Sequence, residues 1–113
     1  MSAGVIEPFR RGLELIRAGE FFGAHEELET AWRVAATEER DFFQGLVHVT
    51  VAWYQAGRGN EVGCRRQLEK AERRLRPYIP HHRDVDVASV LEQVAAARRM
   101  VDAGSLTLPP PAL

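Results

Sequence analysis

The sequence predicts an all-α protein: five helices forming two similar helical hairpins and a closing helix, packed as one compact bundle. Three observations carry this expectation. Glycine and proline cut the 113 residues into five segments with apolar residues at helical spacing. No stretch between them alternates apolar and polar residues as a half-buried strand does. The second and fourth segments also repeat each other: shifted by 40 residues, Gly19, Gly23, Leu28, Glu29 and Ala31 fall on Gly59, Gly63, Leu68, Glu69 and Ala71.

The first segment, residues 5–18, places Ile6, Phe9, Leu13 and Ile16 on one face and ends at Gly19, a natural helix terminator. The second spans 21–35, with Phe21, Ala24, Leu28, Ala31 and Ala35 on an apolar arc. An acidic turn, Thr37-Glu38-Glu39, introduces the third, residues 42–56. It is apolar almost all round and so belongs in the middle of the molecule. The fourth, residues 61–76, buries Cys64, Leu68, Ala71 and Leu75 and stops at Pro77. A loop carrying Pro80, His81 and His82 follows; its adjacent histidines could ligate a metal but are read as exposed. The fifth, residues 85–103, spaces Val87, Val90, Leu91, Val94, Ala97 and Val101 helically before Gly104. Residues 1–103 thus form a single helical domain, and 104–113, with Pro109-Pro110-Pro111, form an extended or disordered tail.

The spacing Ala24/Leu28/Ala31 and Cys64/Leu68/Ala71 resembles the second helix of a tetratricopeptide unit. Two such hairpins are fewer than the roughly three an open solenoid needs, so closure into a bundle is expected.

Composition narrows the function. Fifteen basic and sixteen acidic residues give a net charge of −1, which provides no overall field for nucleic acid or an anionic membrane. Cys64 is the single cysteine and excludes an internal disulfide, which favours a reducing cytoplasm. The start of the chain lacks the pattern of a secretory signal, and its longest apolar stretch, 46–54, is too short to span a bilayer. Arg65, Arg66, Lys70, Arg73, Arg74 and Arg76 enrich the fourth segment and raise nucleic-acid binding as an alternative. Glu69 and Glu72 interleave with them, Glu69 four residues before Arg73, so the expectation is an ion-paired, solvated face. No aromatic platform alternates with these cations.

The residues most able to carry chemistry lie on the second and third segments. His25, Glu29 and Trp32 share the edge of one apolar arc, and Gln44, His48 and Gln55 form a polar stripe on an otherwise apolar helix. Burying an unpaired amide or imidazole costs on the order of 1–3 kcal/mol, so these groups need partners. They form either a structural hydrogen-bond network or a small pocket for a metabolite or peptide end. His25, Glu29 and His48 could also supply two imidazoles and one carboxylate to a divalent metal, although no His-Glu-x-x-His motif is present. No convincing nucleophile accompanies His25, since Cys64 occupies a core position, and no catalytic residue is assigned.

The string from Arg17 through Gly19, His25, Glu26 and Glu29 to Trp32, followed by Thr37-Glu38-Glu39-Arg40 and Gln44-Gly45, resembles domain-of-unknown-function family 309. The resemblance covers about Phe9 to Leu75 and extends to Gly59-Asn60 and Gly63. It implies a compact prokaryotic helical domain and no established activity. Members commonly carry a histidine near the end of the third helix, where this chain has Tyr54-Gln55, and His48 stands where histidine is unusual. A metal site built on the missing histidine is correspondingly discounted.

The expectation is therefore a cytoplasmic binding or interaction module with a semi-buried pocket of His25, Glu29, Gln44 and His48, walled by Trp32 and Gly45, with Gln55 on the same stripe. It would take a small molecule or peptide and require no cofactor. The alternatives are a metal-dependent hydrolase-like enzyme using the same cluster, a scaffold acting through a tetratricopeptide-like groove, and nucleic-acid binding through the fourth helix. Trp32, Trp53, Phe42 and Phe43 exceed what a small core must hold, which predicts a homodimer.

Overall fold

A computed structural model describes residues 3–113. Its helices are α1 (Ala3–Arg17), α2 (Phe21–Val34), α3 (Thr37–Gly57), α4 (Glu61–Leu75) and α5 (Val87–Asp102). Between α4 and α5 lie a 3-10 turn, Arg76–Tyr78, and a small hairpin of β1 (His81–His82) with β2 (Val85–Asp86). The strands are antiparallel, His81 opposite Asp86 and His82 opposite Val85. This hairpin replaces the loop expected from sequence. Its two turn residues, Arg83 and Asp84, both have positive φ, at 47° and 63°, the conformation a tight two-residue hairpin needs.

The helices pack in chain order: α1 on α2, α2 on α3, α3 on α4 and α4 on α5. Helices α1, α3 and α5 end in the same way. Gly19, Gly59 and Gly104 stand at φ of 77°, 75° and 91°. The amides of each glycine and of the next residue turn back onto the last-turn carbonyls, Gly104 on Val101 and Ser105 on Met100 in α5. Only glycine enters this left-handed position without strain, which ends the helix and reverses the chain.

The 40-residue repeat is structural. Ala24, Leu28 and Ala31 on α2 and Cys64, Leu68 and Ala71 on α4 are each fully buried. Helix α3 lies between them, with Phe42, Phe43, Leu46, Val49 and Ala52 inside. It begins at Thr37, five residues earlier than the apolar run indicates. The acidic turn is its first turn, where Glu38 and Glu39 suit the helix dipole.

On α1 the buried stripe is Val5, Phe9, Gly12 and Ile16, while Ile6, expected inside, is 52% exposed. Gly12 sets this phase: a Cβ there would lie 2.8 Å from Leu28. Phe42, Phe43 and Trp53 are buried within the single chain, and Arg40 covers half-buried Trp32 at 4.8 Å. These four aromatics therefore provide no ground for a subunit interface. Residues 105–113 are extended and lie against the core through Leu106, Leu108 and Leu113.

Candidate functional site

Helix α3 has α2 on one flank and α4 on the other, and this divides the residues expected to form one pocket. His25 projects from α2 toward the C-terminal half of α3. Together with Phe21, Phe22, Val51, Tyr54 and Gln55 it lines a cleft of about 160 Å³. His48, two turns earlier on α3, turns the other way, and its Nδ1 lies 2.7 Å from Gln67 Oε1 on α4. Gly45 also faces α4: a Cβ there would lie 2.6 Å from Leu75, so the glycine permits close helix contact and walls no cavity. Trp32 stacks under Arg40. Gln44 is half-buried on the α3 stripe, outside the cleft lining. The expected pocket thus combined residues from two interfaces. His25 and Gln55 share a cleft, Glu29 reaches it through His25, and Gln44, Gly45, His48 and Trp32 lie elsewhere.

His25 is oriented by its own helix. A carbonyl oxygen can only accept, so Nδ1 donates to Phe22 O at 2.7 Å. The other nitrogen, Nε2, then lies 3.3 Å from Glu29 Oε1, four residues along the same face. In neutral imidazole Nε2 is an acceptor facing a second acceptor, so the pair is completed by a proton or by a donor from outside. Asn60 Nδ2 donates to Gln55 Oε1 at 3.1 Å, which leaves the Gln55 amide hydrogens as donors. Aromatic rings form the walls: Phe22, 52% exposed, packs 5.6 Å from Tyr54 and 5.0 Å from His25. A second hollow of about 340 Å³, lined by Glu20, Trp53 and Arg58 among others, shares Phe21, Phe22 and Tyr54 with the first.

Burial is the main cause that lowers the His48 imidazole below its ordinary pKa, and Lys70, Arg74 and Arg73 add to it. Among the described residues no group of three or more His, Cys, Asp or Glu side chains is placed to hold a metal ion. The set His25, Glu29 and His48 is not assembled, because His48 is held by α4. Burial raises the Cys64 thiol above its ordinary pKa, in keeping with a core role.

One polar centre was missed from sequence. Glu39 receives His82 Nε2 at 2.7 Å and Arg83 through both Nε and a terminal nitrogen, the latter at 2.7 Å. The Arg83 hydrogen bonds, with His82 adding a smaller effect, outweigh burial and hold the Glu39 carboxyl at about 2, far below its usual 4.5. The His82 ring packs on Phe42 at 4.6 Å, so this histidine is structural, not exposed. The shallow hollow outside it, about 500 Å³, is lined by His81, His82, Arg83, Asp84 and Asp86. Of its lining, Arg83 and His82 are engaged by Glu39.

The basic helix is paired differently from the expectation. Glu69 reaches Arg98 of α5 at 3.6 Å, not Arg73, and Glu72 pairs with Arg76 and Arg98. Among the described residues Arg66, Lys70 and Arg73 form no ion pair within 4 Å, so that face is less neutralised than the spacing implies.

The family model described as a domain of unknown function (DUF309) matches residues 9–67, a span containing every residue of the cleft and ending before the β-hairpin. No curated protein and no solved structure matches the chain. No helix among the described residues is long and apolar enough to cross a membrane.

Proposed function

The chain belongs to the DUF309 family, a domain of unknown function, and from the geometry of the matched residues we propose a cytoplasmic binding module whose site is the α2–α3 cleft. The observation that carries this reading is an asymmetry between the two repeats. The repeat places Arg65 and Glu69 of α4 where α2 has His25 and Glu29. At the α4–α5 interface Arg65 pairs with Asp102 at 3.0 Å and Glu69 with Arg98 at 3.6 Å, so the second copy is closed by ion pairs. At the α2–α3 interface the equivalent position opens onto an aromatic cleft.

The chemistry of the lining selects the ligand class. Phe21, Phe22 and Tyr54 offer ring faces for a flat or cationic group. Two acceptors, His25 Nε2 and Glu29 Oε1, call for a donor, and the Gln55 amide hydrogens offer one to an acceptor. A small amine or hydroxyl compound with one apolar ring, or a peptide end of that kind, fits this pattern. The cleft is smaller than the roughly 300–1,000 Å³ of drug-sized sites, which favours a single ring or short chain.

Native mass spectrometry of the chain purified from cells, compared with Phe22→Ala and His25→Ala, tests the reading. The expected result is a small bound mass in the unsubstituted chain, diminished in both variants. Identical masses in all three proteins, with no adduct, would argue for a purely structural pair.

A further inference from the structure

The segment after α5 is held in a way its composition does not require. Residues 105–113 carry no charged side chain, yet three side chains grip their main chain. Trp53 Nε1 donates to Pro109 O at 2.8 Å. Gln93 brackets Ala112, its Nε2 donating to the carbonyl at 2.8 Å and its Oε1 accepting from the amide at 2.7 Å. Arg17 donates to Leu113 O at 3.1 Å. Leu106, Leu108 and Leu113 lie against the core, Pro111 is buried, and Pro109 and Pro110 border a small hollow with Trp53, Gln93, Ala96 and Ala97.

Each of these grips reaches a backbone atom, so the furrow reads chain direction and the spacing of prolines and leucines, not particular polar side chains. An indole N–H aimed at a proline carbonyl beside an apolar wall is the chemistry by which extended, proline-rich peptides are recognised, and their fixed φ lowers the cost of ordering them. The α5 cap uses only the amides of Ala103, Gly104 and Ser105, so residues 106–113 can leave without uncapping the helix.

We propose that this furrow between α3 and α5 is a docking site for proline-rich extended segments of other proteins, with residues 106–113 as its resident competitor. The site is distinct from the α2–α3 cleft and stands whether or not that cleft binds a ligand.

The test uses the ¹⁵N-labelled full chain carrying Leu108→Asp and Pro111→Asp, which undocks the tail, titrated with a synthetic peptide of residues 105–113. The Trp53 indole and Gln93 side-chain amide signals are expected to move back, saturably, toward their positions in the unsubstituted chain. That chain should need at least about tenfold more peptide, because its tail competes at an effective concentration near the millimolar range. A second peptide that keeps the three prolines and three leucines but changes the other positions should bind within about threefold of the first, since only backbone and apolar contacts are read. Adding Gln93→Leu should weaken binding at least about tenfold, as expected for losing a paired hydrogen-bond contact. If the double variant loses its helical circular dichroism, Pro109→Gly with Pro110→Gly, at two exposed positions, replaces it. Absence of saturable shifts at Trp53 and Gln93 up to several millimolar peptide would overturn the proposal. So would a doubled mass by light scattering with exchanged tails, which would make the occupant a second copy.

Discussion

Gly45 stands where α3 packs against α4, and the space beside it is filled by Leu75 and Arg74. Gly45→Ala is expected to lower stability by about 1–3 kcal/mol through overpacking, read as a lower urea midpoint with an unchanged slope. Glu39 tests the electrostatics. Its folded pKa near 2 lies below the ordinary 4.5, so its contribution is fully present above about pH 4.5 and is lost as pH falls toward 2. The full shift corresponds to roughly 3–4 kcal/mol. Glu39→Gln should flatten that part of the pH–stability curve. His48 also favours higher pH: its folded pKa is lowered, so the unfolded chain binds the proton more readily as pH falls below about 6.5. His48→Gln should reduce the loss of stability just below that value. The His25–Glu29 pair was legible in the sequence because four residues on one helix face are neighbours by geometry alone. Glu39 and His82 are 43 residues apart, and only the turn and hairpin after α4 bring them together, so no local pattern announces the contact.

At the level of elements, the number and order of helices were readable because glycine caps and apolar periodicity agree. Their edges were less so. The acidic turn before α3 looked like a connection because it lacks apolar residues, yet the dipole accepts carboxylates in a first helical turn. The two-residue strands His81–His82 and Val85–Asp86 are too short for any alternation to register. Helix α4 gives the clearest element-scale prediction. Asn60 Oδ1 accepts the Gly63 amide at 2.9 Å, and Asn60 Nδ2 donates to Gln55 at 3.1 Å. Asn60→Ala should cost about 1 kcal/mol, as loss of an N-cap usually does, and should disturb the NMR signals of Gln55 in the cleft. Asn60→Ser should restore the stability while leaving the Gln55 signals altered, since serine can cap but its shorter side chain does not reach the amide.

For the molecule as a whole, the duplication accounts for both the fold and the place of the α2–α3 cleft. Equivalent surfaces of α2 and α4 meet different neighbours, α3 in one case and α5 in the other, and one junction carries ion pairs where the other opens a cleft. Sequence alone brought His25, His48 and Gln44 together because all three lie beside the buried faces of their helices. It could not show that α3 offers one flank to each hairpin partner, and that distinction separates His25 from His48. The measurement that bears most directly on the α2–α3 cleft is an NMR titration of the ¹⁵N-labelled chain with small ring-bearing amines, tyramine first. Saturable shifts confined to Phe22, His25, Tyr54 and Gln55 are expected, abolished by Phe22→Ala and unaffected by Arg65→Ala at the equivalent position of the second repeat. Shifts that are absent across the series, or that persist unchanged in Phe22→Ala, would contradict a binding site in this cleft.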